Sequence, residues 1–105
     1  MTAPTAEALA AIASHRRREM LRLVWGRELT AGELASKFDI SWPAVSQHLT
    51  TLKQAGLVKE RRDGRRRYYS SDETMVGSLA MILQQMWEND LDRLASLAEE
   101  DERNG

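Results

Sequence analysis

The sequence of 105 residues contains no cysteine. This absence excludes disulfide bonds, thiol redox sensing, cysteine nucleophiles and thiolate metal sites. Aromatic residues make up only 6% of the chain, and no apolar run approaches the roughly eighteen residues that a membrane-spanning helix needs. Residues 1–13 have no basic residue ahead of their apolar part, which is unlike a secretory signal. We therefore expect a cytoplasmic protein of one domain with no membrane partner.

The sequence also lacks the motifs that carry enzymatic chemistry. It has no glycine-rich phosphate loop, no nucleophile motif and no cluster of metal-ligand residues. Its only histidines, His15 and His48, lie far apart in the chain. A carboxylate site on Glu88, Asp90 and Asp92 is an alternative, but such residues are more typical of a solvated helix face. The sequence therefore predicts neither an enzyme nor a bound cofactor or metal.

Charge is divided unevenly along the chain. Residues 1–71 contain 13 Lys and Arg against 7 Asp and Glu, a net charge of +6, whereas residues 72–105 contain 2 against 9, a net charge of −7. The two halves sum to the −1 of the whole chain. Such segregation indicates two surfaces with different partners, and the basic half favours a nucleic acid as one of them.

Two consecutive helix starts lie near the middle of the sequence. Thr30 and Glu33 have the spacing of a capping box, in which each side chain bonds the backbone of the other residue. Ser41 can cap a further helix, with Pro43 in its first turn. Two short helices joined by a tight polar turn over residues 30–56 predict a helix-turn-helix.

Other helices are expected before this motif and within it. Apolar residues spaced three and four apart predict a first helix over residues 5–13. Ser14 can cap a second helix, and the third helix should end near Asp39.

A β-hairpin is expected over residues 57–70. Asp63-Gly64 lies between two extended runs, and such a pair favours a two-residue loop because the turn needs positive φ. A last helix should then begin at Ser70 or Ser71 and cover about residues 71–99. The sequence therefore predicts a mainly α-helical fold with a small hairpin.

The exposed faces of the fourth helix carry hydroxyls, an amide and a lysine but no acidic residue. Hydroxyls and amides are groups that bind base edges and phosphates, and an acid there would repel the DNA backbone. The alternative is an ordinary solvated face, but such faces usually mix Glu with Lys. The missing acids therefore favour DNA binding.

The hairpin adds positive charge. The segment from Ser41 to Ser71 contains 7 basic and 2 acidic residues, and five arginines surround one turn. Arginines at a hairpin tip can hold phosphates or enter a minor groove. Edge-strand protection is the alternative, but lysines mixed with acids would suffice for that. Arg62 and Arg65, which lie nearest the tip, are the first candidates for DNA contact.

The sequence resembles the ArsR/SmtB family of bacterial winged-helix repressors over residues 5–98. The resemblance rests on residues 28–58, with the motifs AVSQHL and GLV, and on RRDGRRRYY at residues 61–69. It implies a winged helix-turn-helix of about five helices and a two-stranded wing. It also implies that the protein represses transcription by binding double-stranded DNA as a homodimer, dimerising through its first and last helices.

Together, the residues and the resemblance give two sets of site residues. The candidate DNA-binding residues are Ser41, Trp42, Pro43, Ser46, Gln47, His48, Thr50, Lys53, Arg62, Arg65 and Arg66. The candidate dimer-interface residues are Leu9, Ile12, Leu79, Ile82, Leu83, Met86, Trp87, Leu91 and Leu94. The apolar stripe of the last helix is broader than so small a domain can cover, which also favours a dimer.

The resemblance does not extend to the residues with which some members of the family bind metals. Members that sense metals use cysteines in the third helix, or Asp and His pairs in the last helix, and this chain has neither cysteine nor a histidine in its last helix. Residues 87–97 instead resemble the subgroup without metal sites. A small-molecule effector that binds in a pocket at the dimer interface is a further hypothesis. Met75, Met81 and Met86 would make such a pocket adaptable. A module that binds an acidic protein through its basic hairpin is the alternative function.

Overall fold

Four helices precede the hairpin in the computed structural model of the protein, which describes residues 5–72 and 79–90. They are α1 (Ala6–Ala11), α2 (His15–Leu23), α3 (Ala31–Ser36) and α4 (Trp42–Gln54). A fifth helix, α5, covers residues 80–90. Among the described residues, no helix has the length and apolar character needed to cross a membrane.

Hydroxyl side chains fix where the first four helices begin. The capping residues are Thr5, Ser14, Thr30 and Ser41. The capping box is present in both directions, with the Glu33 amide donating to Thr30 Oγ1 over 3.1 Å and the Thr30 amide donating to Glu33 Oε1 over 3.0 Å. Such a cap contributes about 1 kcal/mol to helix stability. The starts predicted at Ser14, Thr30 and Ser41 are therefore confirmed.

The third helix is shorter than predicted. It ends at Ser36 rather than near Asp39, and Lys37 is its C-cap. The amides of Lys37 and Phe38 donate to carbonyls three residues back, over 3.0 and 3.3 Å, so the last turn tightens and stops. The half-buried Phe38 side chain then packs against the core from the turn between α3 and α4.

The sheet has three antiparallel strands in the order β1-β3-β2, where two strands were predicted. They are β1 (Leu29–Thr30), β2 (Val58–Asp63) and β3 (Arg66–Ser71). β1 pairs with β3, which places Leu29 opposite Tyr69. Two residues are too few to show an alternating pattern, so the sequence of β1 does not predict a strand. β1 forms because its residues pair with β3.

The hairpin loop lies one residue later than predicted. Asp63 pairs with Arg66, so the two loop residues are Gly64 and Arg65 rather than Asp63 and Gly64. Gly64 has a φ of +64°, and no described residue other than glycine has positive φ. A glycine at the first loop position followed by a residue with negative φ is typical of the type II′ turn. The shift places Arg65 in the tip itself.

The predicted start of the last helix is wrong. Ser70 and Ser71 pair with β2 and belong to β3. The Ser71 amide also donates to the Val24 carbonyl over 3.0 Å, which holds the strand end against α2. Leu91 and Leu94, two of the predicted interface residues, lie outside the described residues.

One hydrophobic core joins the five helices to the sheet. Three predicted interface residues, Ile12, Leu79 and Leu83, belong to this core and are at most 2% exposed. One side of the α5 stripe therefore packs on its own chain. Leu9 and Ile82 are exposed. Met86 and Trp87 pack at the edge of the core.

α5 is joined to α2 by a buried arginine that the sequence analysis did not single out. The Arg18 guanidinium donates to the Ile12 carbonyl over 2.8 Å and to both carboxylate oxygens of Asp90 over 3.3 Å. The Trp87 indole in turn donates to the Arg18 carbonyl over 3.0 Å. Burial raises the pKa of Asp90, but hydrogen bonds and charges from Arg18 and His15 outweigh it and leave the pKa lowered.

Candidate nucleic-acid interface

α4 buries one stripe and exposes the other. Its buried residues are Val45, Leu49 and Leu52, which fall on one face at helical spacing. The exposed side includes Ser41, Trp42, Pro43, Ser46, Gln47, Thr50 and Lys53. α4 contains no acidic residue, so this face does not repel an anion.

Trp42 lies at the start of α4 and remains 61% exposed. Its ring rests on α3, where a Cβ placed at Gly32 would be only 3.0 Å from two ring carbons. The glycine therefore leaves the space that the indole occupies. This contact holds a large aromatic surface at the solvent side of the helix-turn-helix.

Thr50 and His48 are predicted contact residues on α4 that also interact within the chain. The Thr50 hydroxyl donates to the Ser46 carbonyl over 2.9 Å, although the side chain stays exposed. His48 is half-buried, and its burial, together with the charges of Arg17 and then Arg16, lowers its pKa. His48 is therefore neutral near pH 7 and lies towards α2 rather than on the exposed face.

The register of the hairpin sorts its arginines onto two faces. Arg62 pairs directly with Arg67, and both share the face of Glu60. Arg61 lies on the opposite face, where it pairs with Glu28 over 2.8 Å and stacks 4.6 Å from the Tyr68 ring centroid. Arg61 is therefore held by Glu28 and Tyr68, whereas Arg62 extends along the face that turns towards α4.

Glu60 is the acidic residue between the wing and α4. Its carboxylate lies 2.8 Å from Lys53 Nζ, 3.5 Å from Arg67 Nε and 3.7 Å from Arg62 Nε. The hydrogen bond from Lys53 lowers the pKa of Glu60, burial opposes this, and the charges of the three cations lower it further. Glu60 is therefore ionised at neutral pH.

Two grooves run between α4 and the hairpin. The first, of about 580 Å³, is lined by Gly32, Trp42, Ser46, Arg65, Arg66 and Tyr69, among others. The second, of about 370 Å³, is lined by Thr50, Lys53, Gln54, Glu60 and Arg67, among others. Arg67 and Tyr69 border both, so the grooves adjoin. The arrangement presents hydroxyl, amide and aromatic groups beside a row of cations, which suits a duplex backbone and its base edges.

The structure brings most predicted DNA-binding residues to this surface. Ser46 and Trp42 from α4 face Arg65 and Arg66 from the hairpin across the first groove. Sequence reasoning missed Glu60 and Tyr69. The alternation of residues 60 and 62 on one strand face could have indicated that Glu60 lies beside Arg62. Nothing local could have indicated its bond to Lys53, which joins a helix to a strand.

These features define a winged helix-turn-helix transcription regulator, with α3 and α4 as the helix-turn-helix and β2–β3 as the wing. Residues 14–60 match the family model described as "Bacterial regulatory protein, arsR family". The chain belongs to the ArsR family. Its relatives are regulators of transcription, and the protein is one as well rather than an enzyme.

Similar proteins include a repressor, an activator and a dimer. The transcriptional repressor SdpR of Bacillus subtilis is 42% identical over 66 residues, which are 63% of this chain and 73% of SdpR. The transcriptional activator HlyU of Vibrio cholerae is 34% identical over 79 residues, which are 75% of this chain and 73% of HlyU. The homodimeric winged helix-turn-helix DNA-binding domain Mb0332 of Mycobacterium bovis has a TM-score of 0.70 at 30% identity, covering 79% of this chain and 77% of that domain.

Proposed function

We propose that this regulator is a sequence-specific repressor that binds an inverted-repeat operator as a homodimer in the cytoplasm. The observation that carries the proposal is the continuous surface formed by the acid-free face of α4 and the arginine-rich wing. α4 would enter the major groove and bind base edges, while the wing holds phosphates or a narrow minor groove. The predicted contacts at Ser46, Gln47, Arg62 and Arg65 all fit this division.

Exposed apolar side chains on α1 and α5 support the dimer. Leu9 is 44% exposed, Met81 82% and Ile82 41%. Large apolar groups in such numbers on two helices of a small domain favour a covering partner. The similar Mb0332 domain is itself homodimeric. We propose that the same helices pair in this protein, and a small-molecule effector at that interface remains a prediction.

Repression fits the simplest use of this surface. A dimer that occupies an operator blocks transcription with no further activity than DNA binding. SdpR is named a repressor, whereas HlyU is named an activator, so both directions of regulation occur among similar proteins. A reporter gene placed behind the bound site should rise in expression when the regulator is deleted.

We propose that release from DNA does not use the usual metal sites. The sequence has no thiol. Within residues 5–72 and 79–90, no three His, Asp or Glu side chains are placed to hold an ion. Zinc, cadmium and arsenite should therefore leave operator affinity unchanged in binding isotherms. Stoichiometric zinc binding that weakens DNA affinity contradicts this proposal.

Selection of bound duplexes from a random pool tests the proposed function directly. A two-fold dimer presents two copies of α4, so the enriched sequences should contain inverted half-sites about one helical turn, roughly 10 base pairs, or a small multiple apart. A single asymmetric half-site would contradict binding as a dimer. Failure to enrich any duplex would contradict DNA binding and favour the alternative, a module that binds an acidic protein.

A further inference from the structure

Glu60 occupies an unusual place for an acid in a DNA-binding protein. Its side chain is only 13% exposed and lies between the last turn of α4 and the wing. One carboxylate oxygen accepts a hydrogen bond from Lys53 over 2.8 Å. The other lies 3.5 Å from Arg67 Nε and 3.7 Å from Arg62 Nε. A single carboxylate therefore contacts cations from both the helix and the wing.

The strand register explains why the wing needs this carboxylate. Arg62 and Arg67 are direct partners across β2 and β3, so their side chains share one face. Like charges directly opposite each other on a sheet are destabilising. Glu60, two residues from Arg62 on the same face, places a negative charge between them. The carboxylate thus allows two arginines to lie side by side next to α4.

The same carboxylate connects the two DNA-binding elements. Lys53 belongs to α4 and Glu60 to β2. Within the described part of the chain, this ion pair connects the helix to the wing. Charge-assisted hydrogen bonds of 2.8 Å are short and geometrically selective. This bond therefore restricts the angle between the helix that contacts bases and the strands that carry the arginines.

A carboxylate on this surface also lowers the affinity for any DNA. Three cations that already share a carboxylate present less positive charge to phosphates. They also release fewer counterions when DNA binds, because Glu60 is already their counterion. The presence of Glu60 is therefore better explained by selectivity than by affinity.

We propose that Glu60 is a positioning residue that determines DNA specificity, because it ties Lys53 on α4 to Arg62 and Arg67 on the wing and acts as their internal counterion. This inference rests on the proposed function. It assigns Glu60 no contact with DNA. The fixed geometry of helix and wing strengthens binding to the operator. The reduced positive charge weakens binding to DNA of any other sequence.

Glu60→Gln tests the inference, with Asp63→Asn as the matched control. Asp63 lies on the same strand and carries the same charge, but it is exposed and forms no ion pair within 4.0 Å among the residues that the structure describes. Both variants of the full chain are titrated with the duplex selected by the wild type and with a scrambled duplex, at several salt concentrations. Thermal unfolding establishes that each variant is folded.

We expect Glu60→Gln to bind scrambled DNA more tightly and to lower the ratio of operator to scrambled affinity by about tenfold, within the range of couplings between contacting residues. Its salt dependence should steepen by about one unit of log-log slope per subunit, because one more phosphate is neutralised by freed cations. Asp63→Asn should change the ratio by less than about twofold, because it removes charge without loosening the helix from the wing.

Glu60→Asp distinguishes the effect of the position of the carboxylate from the effect of its charge. It also replaces Glu60→Gln as the test if that variant does not fold. It keeps the negative charge but shortens the side chain by one methylene, so the carboxylate no longer reaches all three cations. The specificity ratio should fall for this variant while the salt slope stays near that of the wild type.

The outcomes distinguish this inference from the proposed function. If wild-type protein selects a site and Glu60→Gln behaves like Asp63→Asn, or if Glu60→Asp keeps the wild-type ratio, Glu60 does not position the two elements. If wild-type protein binds no duplex selectively, the proposed function fails and this inference fails with it.

Discussion

At the scale of single residues, Gln47 and Arg65 show how two exposed side chains can have different roles. Gln47 lies in the second turn of α4, on the face that α4 leaves exposed. Arg65 lies in the loop at the wing tip. An amide can form two hydrogen bonds with an adenine edge, whereas a guanidinium at a hairpin tip meets phosphate or a narrow minor groove. We therefore expect α4 to supply specificity and the wing to supply affinity.

Gln47→Ala should weaken binding to the operator by about 1–3 kcal/mol and leave binding to random DNA nearly unchanged. Isotherms on the operator and on a scrambled duplex measure both values. Gln84→Ala, which removes an exposed amide from α5, is the control and should change neither. Equal weakening of both duplexes by Gln47→Ala would mean that this residue does not contribute to sequence selection.

Arg65→Ala should weaken binding to both duplexes and lower the salt slope by about one unit per subunit, because one phosphate contact is lost. Arg61→Ala is the matched control, since Arg61 is a wing arginine that is held by Glu28 on the other face of the hairpin. Its removal should affect the salt slope less. An unchanged slope for Arg65→Ala would contradict the assignment of phosphate binding to the wing tip.

At the scale of elements, the attachment of α5 depends on polar contacts as well as on its buried leucines. Arg18 satisfies the Ile12 and Ala13 carbonyls at the end of α1 while it pairs with Asp90 on α5. One side chain thus connects α1, α2 and α5. Arg18 is only 9% exposed and the Asp90 side chain is 25% exposed, so these contacts are partly shielded from water.

Arg18→Met should reduce the free energy of unfolding by about 1–3 kcal/mol, because buried carbonyls and a carboxylate lose their donor. Chemical denaturation measures this loss. Arg22→Met, on the exposed face of the same helix, removes the same type of side chain and should cost much less. Similar losses for the two variants would show that the Arg18 contacts do not stabilise the fold.

The Asp90 carboxylate predicts a pH dependence for the same attachment. Its pKa is lower in the folded protein than its ordinary value, so its contribution to stability is present above the unfolded pKa of about 3.9 and is lost as pH falls through the folded pKa. Wild-type protein should therefore be more stable than Asp90→Asn at neutral pH, and the difference should shrink below about pH 4. Thermal unfolding across this pH range measures it, and a difference that persists at the acid end would mean that the charge is not responsible.

At the scale of the whole molecule, Leu9, Met81 and Ile82 define the apolar surface that a second subunit should cover. Sedimentation of the wild type at micromolar concentration should give twice the 11.9 kDa mass of the chain. Ile82→Lys should give a monomer, because a buried unpaired charge strongly opposes association. Gln54→Lys adds the same charge at an exposed position of α4, on neither α1 nor α5, and should remain a dimer. A monomeric wild type, or a dimeric Ile82→Lys, would contradict this interface.

The sequence by itself determined the features that are decided within one or two turns of chain. The caps at Ser14, Thr30 and Ser41 and the buried stripe of α4 all follow from contacts between residues three or four positions apart. The positive charge of the wing likewise needs no tertiary information. From these features the helix-turn-helix and its basic hairpin could be predicted, together with the exposed face of α4.

Only the tertiary structure decided which charged side chains pair with each other and which apolar side chains remain exposed. The Arg18–Asp90 pair joins residues 72 positions apart, and the Lys53–Glu60 pair joins a helix to a strand. The strand β1 exists through its pairing with β3. The apolar spacing of α5 was correctly identified, but spacing alone cannot divide an apolar stripe between the protein's own core and a partner. That division depends on how the helix packs against distant elements, and packing places Leu79 and Leu83 inside while Ile82 remains exposed.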